Sequence, residues 1–334
     1  MGIFRLLAAL LVIWGHAYPL TADEKGTDFV FAITGFEYTG GLAVKFFFFI
    51  SGLLIGNSLL SGTRPKEYLK ARFFRIWPAL TAFVLVFTFL IGPLITSKDI
   101  IGYLISRETW SFVFSNIGTS PALGSVRSSF TIWELPGVFQ ANFLTAVNGS
   151  LWTIPYEVLC YSSAFIIWFL SAKFRLVFLT SAIAILLVQY FVPDIAIVDG
   201  SRILLLILFY AGFALSVAQT KIKVGPLSHL SLGVLAIILW GTSIGHLFFY
   251  AFVFSLVLHV SAFQFILAIR LPGDYSYGVY IWGWPIQQLL VMSGQINSTL
   301  ANQIATMVIA LAVGAASWHL VEKPAIDFAK KSTP

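Results

Sequence analysis

Apolar runs of about 17–22 residues recur ten times along this chain, and a run of that length is what an α-helix needs to cross the hydrocarbon core of a bilayer. They lie near 3–20, 41–60, 78–96, 151–170, 174–192, 203–218, 230–246, 248–267, 275–293 and 300–319, the seventh and eighth divided only around His246. Lipid offers no hydrogen bonds, so each such run must satisfy its own backbone by coiling into a helix. Of the 334 residues, 58% are hydrophobic and 10% charged, whereas an average soluble domain carries about 25% charged residues. The expected fold class is therefore all-α, a polytopic membrane helical bundle of about ten transmembrane helices, with 1–334 as a single transmembrane domain.

Charge placement sets the expected orientation. Arg64, Lys66, Lys70, Arg72 and Arg75 crowd segment 61–77, and Lys173, Arg175, Lys221 and Lys223 fall in two later connections. With Arg5, Arg270, Lys323, Lys330 and Lys331, one side holds 14 of the 20 basic residues. The opposite side includes the acidic 21–40 loop, with Asp23, Glu24, Asp28 and Glu37 against Lys25. Short loops rich in Lys and Arg stay cytoplasmic, which puts both termini in the cytoplasm and accounts for the net charge of +6 without nucleic acid. Segment 97–150 then becomes one long extracytoplasmic loop, with Pro121, Pro136, Trp110 and Trp133. Loops of that length are lids, binding loops or unstructured. Its aromatics suit sugar stacking and a membrane-interface belt equally.

Polar residues inside such runs carry the functional information, because lipid cannot solvate them. The first run holds Arg5 and His16, eleven residues apart. Eleven steps are about three helical turns, so both project from one face, about 16 Å apart along the axis. That face reads as the lining of a channel for a long ligand, charged at one end and reactive at the other. Arg5 also fits a cytoplasmic flank that snorkels, His16 a satisfied helix end, and the whole stretch a signal peptide. Arg72 and Arg75, three apart in RPKEYLKARFFRIWP, share a helical face. Two guanidiniums so placed make a phosphate site or a cluster that holds anionic lipid. Pro78 should end or kink that segment. Glu157, in SLWTIPYEVLCY just after Pro155, is the one acid well inside a run. It suits a hydrogen bond to His16 that fixes the imidazole tautomer, or a structural ion pair with an arginine.

Lys45, Ser51, Trp152, Tyr156 and Tyr277 are further polar or aromatic marks on these segments. Glu322, in VEKP, suits a surface pair with Lys323. Cys160 is the single cysteine, which excludes a disulfide framework, and one buried thiol is more often packing than nucleophile. No metal site is expected. Gly241-Thr-Ser243-Ile-Gly245 matches a nucleophile-elbow pattern, but that motif needs a strand-to-helix turn and here falls in an apolar run.

Taken in order, these stretches resemble the membrane acyltransferase-3 family of bacterial sugar O-acyltransferases. The Arg5-to-His16 spacing, FFFFISGLLIG, RFFRIWP, SLWTIPYE, YSYGVYIWGWP and VEKP are similar to its motifs over nearly the whole chain. Gly283 stands where many members have a histidine, which shifts the burden onto His16. The resemblance implies acyl transfer, most often of acetyl, from cytoplasmic acetyl-coenzyme A to a hydroxyl of a cell-envelope glycan. Acetyl-coenzyme A is then a co-substrate, with no permanently bound cofactor. The partners are the acyl-coenzyme A, the glycan acceptor and membrane lipid, in the bacterial inner membrane. On that reading His16 and Glu157 are catalytic, Arg5, Arg72 and Arg75 bind the coenzyme phosphates, and Lys45, Ser51, Trp152, Tyr156 and Tyr277 shape the substrate cavity. A secondary transporter or flippase is the rival, with His, Glu and Arg as a relay. The two halves show none of the similarity that inverted repeats leave.

Overall fold

The computed structural model describes residues 2–22, 27–118, 133–169, 172–197, 199–218, 225–269, 271–296 and 298–331. Asp23, Glu24, Lys25, Pro121, Lys221, Lys223 and Arg270 therefore lie outside the described residues. The described residues form helices and no strands. In chain order these are α1 (Gly2–Leu20), α2 (Phe29–Thr34), α3 (Thr39–Leu60), α4 (Pro65–Val86), α5 (Gly92–Ile95), α6 (Ile100–Ile105), α7 (Arg107–Gly118) and α8 (Ile154–Phe169). There follow α9 (Ala172–Phe191), α10 (Gly200–Val217), α11 (Pro226–Ile238), α12 (Ser243–Ser261), α13 (Gln264–Ala268), α14 (Ser276–Met292), α15 (Thr299–Ser317) and α16 (Lys323–Lys331).

Among the described residues, seven helical stretches are long and apolar enough to cross a membrane: Gly2–Leu20, Thr39–Leu60, Pro65–Ile95, Lys173–Phe191, Gly200–Val217, Ser243–Ser261 and Thr299–Lys331. The other three expected runs form the shorter helices α8, α11 and α14. Two boundaries depart from expectation. Segment 61–77 is not a loop before a span at 78–96. One helix runs from Pro65, through Pro78, to Ile95, with a π turn at Phe87–Ile91. Pro65 sits in the first turn, where a missing N–H costs nothing. Pro78 forfeits one ladder bond, but Ile76, Ala79 and Leu80 are packed in the core on both sides of it, and membrane helices tolerate that loss. The last helix likewise passes the expected end at 319, through a π turn at Trp318–Glu322, and reaches Lys331.

Glycines set how closely the helices approach. A Cβ on Gly52 would collide with the Phe209 carbonyl oxygen, and one on Gly212 with that of Phe49, so α3 and α10 touch backbone to backbone. Association inside lipid depends on such packing, because tails are as apolar as leucine. The Ser216 hydroxyl donates to Asn57 Oδ1 at 2.8 Å across the same seam. Gly278 meets Gly314 between α14 and α15. Gln287 Nε2 donates to the Ile13 carbonyl at 2.9 Å, tying α14 to α1.

The described parts of segment 97–150, residues 97–118 and 133–150, are ordered against the bundle. They contain α6 and α7, and the Trp77 indole donates to the Ile117 carbonyl at 3.1 Å, which lays the end of α7 against α4. Residues 133–148 are pinned to α14, where Gln288 Nε2 donates to the Leu144 and Ala146 carbonyls at 2.7 and 2.8 Å. The break between the seventh and eighth runs falls at a turn with Gly241 at φ 80°, not at His246. The nucleophile-like pattern therefore sits on a helix-to-helix turn whose Thr242 hydroxyl caps α12.

Candidate active site

Three cavities among the described residues take up most of the expected site residues. The first, of about 700 Å³, opens at the end of the bundle where α1 and α4 begin. Arg5, Arg64, Lys70, Arg72, Arg75 and Lys330 line it against Glu67 and Asp274. Arg5 Nη1 donates to Asp274 Oδ2 at 2.7 Å, and Arg75 pairs with the same oxygen at 2.9 Å and with Glu322 at 3.6 Å. Ser317 donates to Glu322 at 2.9 Å. This clamp joins α1, α4, the approach to α14 and the π turn after α15. Arg72 differs. It lies between the rings of Tyr68 and Tyr161, 5.7 and 5.6 Å from their centroids, and no carboxylate pairs with it among the described residues. Its Nε and the Trp318 indole Nε1 are buried without a hydrogen-bond partner, and Trp318 lines the same cavity. Unsatisfied buried donors in a basic pocket are what an anion completes.

Asp274 does not stand out in the sequence, and a surface pair with Lys323 was one reading of Glu322. Glu322 is instead 1% exposed. The available signal was scarcity: in a chain with 14 acids, an aspartate immediately before YSYG needs a basic partner nearby. Burial alone would raise the Asp274 carboxyl, but the guanidiniums of Arg75 and Arg5 outweigh it and hold it at about 2. A depressed folded-state value stabilises the fold above the ordinary carboxylate range near 4 and loses that contribution as pH falls toward 2. Thermal unfolding of the detergent-solubilised protein should thus drop more steeply between pH 4 and 2 than that of Asp274→Asn.

The second cavity is a narrow sleeve that shares Arg5 and Ser51 with the first. Val44, Phe47, Phe48 and Phe209 make its apolar wall, and Glu157, Tyr277, Thr153 and Tyr280 lie further along. The Tyr280 hydroxyl closes it, donating to the Ser150 carbonyl at 2.8 Å and pairing with the Thr153 hydroxyl at 2.6 Å. The third cavity, about 570 Å³, opens at the opposite end. His16, Trp133, Trp152, Trp284, Tyr38 and Asp28 are among its lining. The His16 ring stands edge-on to Trp284, centroids 4.9 Å apart.

The expected residues are thus brought together in two groups. Arg5, Arg72, Arg75 and Ser51 meet at the basic cavity, and Glu157 and Tyr277 line the sleeve beside it. His16 and Trp152 meet in the aromatic cavity. Arg5 and His16 do face the interior from one helix, but not along one open channel. Ala8, Ala9, Val12 and Ile13 are packed between them. The expected His16–Glu157 hydrogen bond is also not formed: Glu157 accepts from the Tyr161 hydroxyl one turn along α8. Pro155 starts α8 below the Gly149–Thr153 turn, which aims Glu157 into the sleeve rather than the outer cavity.

Lys45 and Tyr156 line none of these cavities. Lys45 pairs with Glu37 at 2.5 Å, and the Tyr250 hydroxyl donates to the same carboxylate at 2.5 Å. Glu37, read as part of the acidic 21–40 loop, is 4% exposed. A lysine buried at a helix start needs such a partner. Tyr156 instead feels the charges of Arg202 and Asp199.

Apolar helices long enough to cross a bilayer, around a basic pocket and an opposed aromatic one, define a multi-pass membrane protein. More specifically, the chain belongs to the acyltransferase domain family, whose family model matches residues 1–319. It is similar to an O-acetyl transferase of Shigella phage Sf6, 27% identical over 345 aligned residues that cover 99% of this chain and 96% of the relative. No solved structure matches it.

Proposed function

We propose that this acyltransferase moves an acetyl group from cytoplasmic acetyl-coenzyme A to a hydroxyl of a cell-envelope polysaccharide or lipid-linked sugar, across the bacterial inner membrane. The basic cavity faces the cytoplasm under the positive-inside rule, as do both termini, and the three shorter helices bring the crossings to about ten. One observation carries the reading. The basic cavity with its sleeve and the aromatic cavity approach each other end to end, with a single turn between them. Tyr280 lines the sleeve and Trp284 the outer cavity, four residues apart on α14, which is about 6 Å of rise. Thr153 and Gly149 repeat this on the facing turn.

The chemistry follows from the two linings. The phosphates of the coenzyme dock on Arg72, with Arg5 and Arg75 adding positive field from the clamp. The pantetheine arm passes Ser51 and brings the thioester to the Tyr280–Thr153 end of the sleeve, and the hydrogen bonds that close that end must open for the acetyl carbon to meet the acceptor hydroxyl. The acceptor sugar stacks on the indoles of the aromatic cavity, with its hydroxyl toward His16. His16 takes the hydroxyl proton as a general base while the new C–O bond forms and the C–S bond breaks, and the proton goes on to the departing thiolate. Alternatively His16 carries the acetyl briefly itself. Glu157 acts at one remove: it holds Tyr161, whose ring flanks Arg72, and so positions the phosphate site. Mass spectrometry of envelope glycans from cells with and without the protein tests the reading. An added 42 Da per modified sugar, the mass of acetyl replacing hydrogen (about one acetyl per site for acyl transfer chemistry), is the expected difference. Identical spectra would contradict it.

A further inference from the structure

The sleeve is much smaller than the cavity that feeds it. It offers about 40 Å³ against about 700 Å³, and a water occupies roughly 10–15 Å³ on that measure, so it admits about three groups of that size. One side of it is apolar and packed, since Val44, Phe48 and Phe209 are buried in the helix core, while Glu157, Ser276 and Tyr277 supply polar lining. The Phe47 ring stands edge-on to Tyr280, centroids 6.0 Å apart. Its far end is shut by Tyr280 and Thr153, whose hydroxyls already bond each other and the Ser150 carbonyl. Beyond sulfur, an acetyl group is one carbonyl carbon, its oxygen and one methyl, which matches the space. With that end open for transfer, each further methylene must still displace part of the wall that Phe47 and Val44 form.

On the donor reading given above, we propose that the sleeve is an acyl-length selector, with Phe47 and Val44 as the residues that restrict the donor to acetyl. The coenzyme itself gives no such discrimination, since acetyl-, propionyl- and butyryl-coenzyme A present the same phosphates to the basic cavity. A hydrophobic pocket discriminates by about 10–200-fold per methylene. Overpacking into a closed core lies within that range, because side chains on all sides are already in contact.

The test supplies equimolar acetyl-, propionyl- and butyryl-coenzyme A to inside-out membrane vesicles that carry the full chain and its envelope glycan. Mass spectrometry counts the acyl groups added. The wild type is expected to add acetyl over propionyl by tenfold or more, with butyryl lower still. Phe47→Ala should raise the propionyl-to-acetyl ratio at least tenfold, and Val44→Ala, which removes two methyls, by a smaller factor in the same direction. If Phe47→Ala fails to accumulate, the Val44→Ala ratio decides. Propionyl within about threefold of acetyl in the wild type, or a ratio unmoved by both substitutions, overturns the selector and leaves acetyl transfer standing. Vesicles that add no acyl group of any length overturn the donor reading and the selector with it.

Discussion

His16→Ala should lower acetyl transfer by about 10²–10⁴-fold, the range a positioned general base contributes, while the variant still inserts and binds coenzyme A. His16 lines the outer cavity and its described ring contact is Trp284, so truncation leaves the basic cavity untouched. Labelled acetyl transfer and coenzyme A binding, measured on the same membranes, separate the two effects. A loss of less than tenfold would reduce His16 to a wall of the acceptor cavity, and full activity in an expressed variant would remove the chemical step assigned to it.

Arg72→Ala and Arg75→Ala should differ in kind, although the residues are one turn apart on α4. Arg72 has no carboxylate partner among the described residues and presents a buried, unsatisfied Nε to the cavity. Its loss should weaken coenzyme A binding by about 10–150-fold, the worth of a hydrogen bond to a charged group at 1.5–3 kcal/mol. Stability should fall by under about 2 kcal/mol, since only its stacking on Tyr68 and Tyr161 is lost. Arg75→Ala should instead destabilise by about 3–5 kcal/mol, because it strands buried Glu322 and half of the Asp274 clamp. Calorimetric titration with coenzyme A and thermal unfolding in detergent read the two quantities apart. Unchanged affinity in Arg72→Ala would reassign the arginines to anionic lipid.

What the sequence made legible were the features set by period and length. The apolar runs mark the helices, and eleven-residue and three-residue spacings put Arg5 and His16, and Arg72 and Arg75, toward the interior. Partnerships were not legible, because they depend on which helices pack together. Asp274 and Glu322 converge on Arg75 from positions 199 and 247 residues further along the chain. Lys45 was claimed by Glu37, which only the turn of α2 into α3 brings within reach. Glu157 looked toward His16 by type, but one turn of α8 gave it Tyr161 first. Two helix ends depart from the apolar runs: α4 begins at Pro65 and accommodates Pro78, and the last helix continues past 319 through a π turn, which leaves no mark in hydrophobic periodicity.

The most direct test of donor and acceptor on opposite faces uses proteoliposomes with the protein in one orientation, a glycan acceptor sealed inside and doubly labelled acetyl-coenzyme A outside. Acetyl label should appear on the internal glycan while the coenzyme label stays outside as free coenzyme A, in equal amounts. Intact acetyl-coenzyme A or glycan crossing the membrane with no free coenzyme A released would instead mark the protein as a transporter.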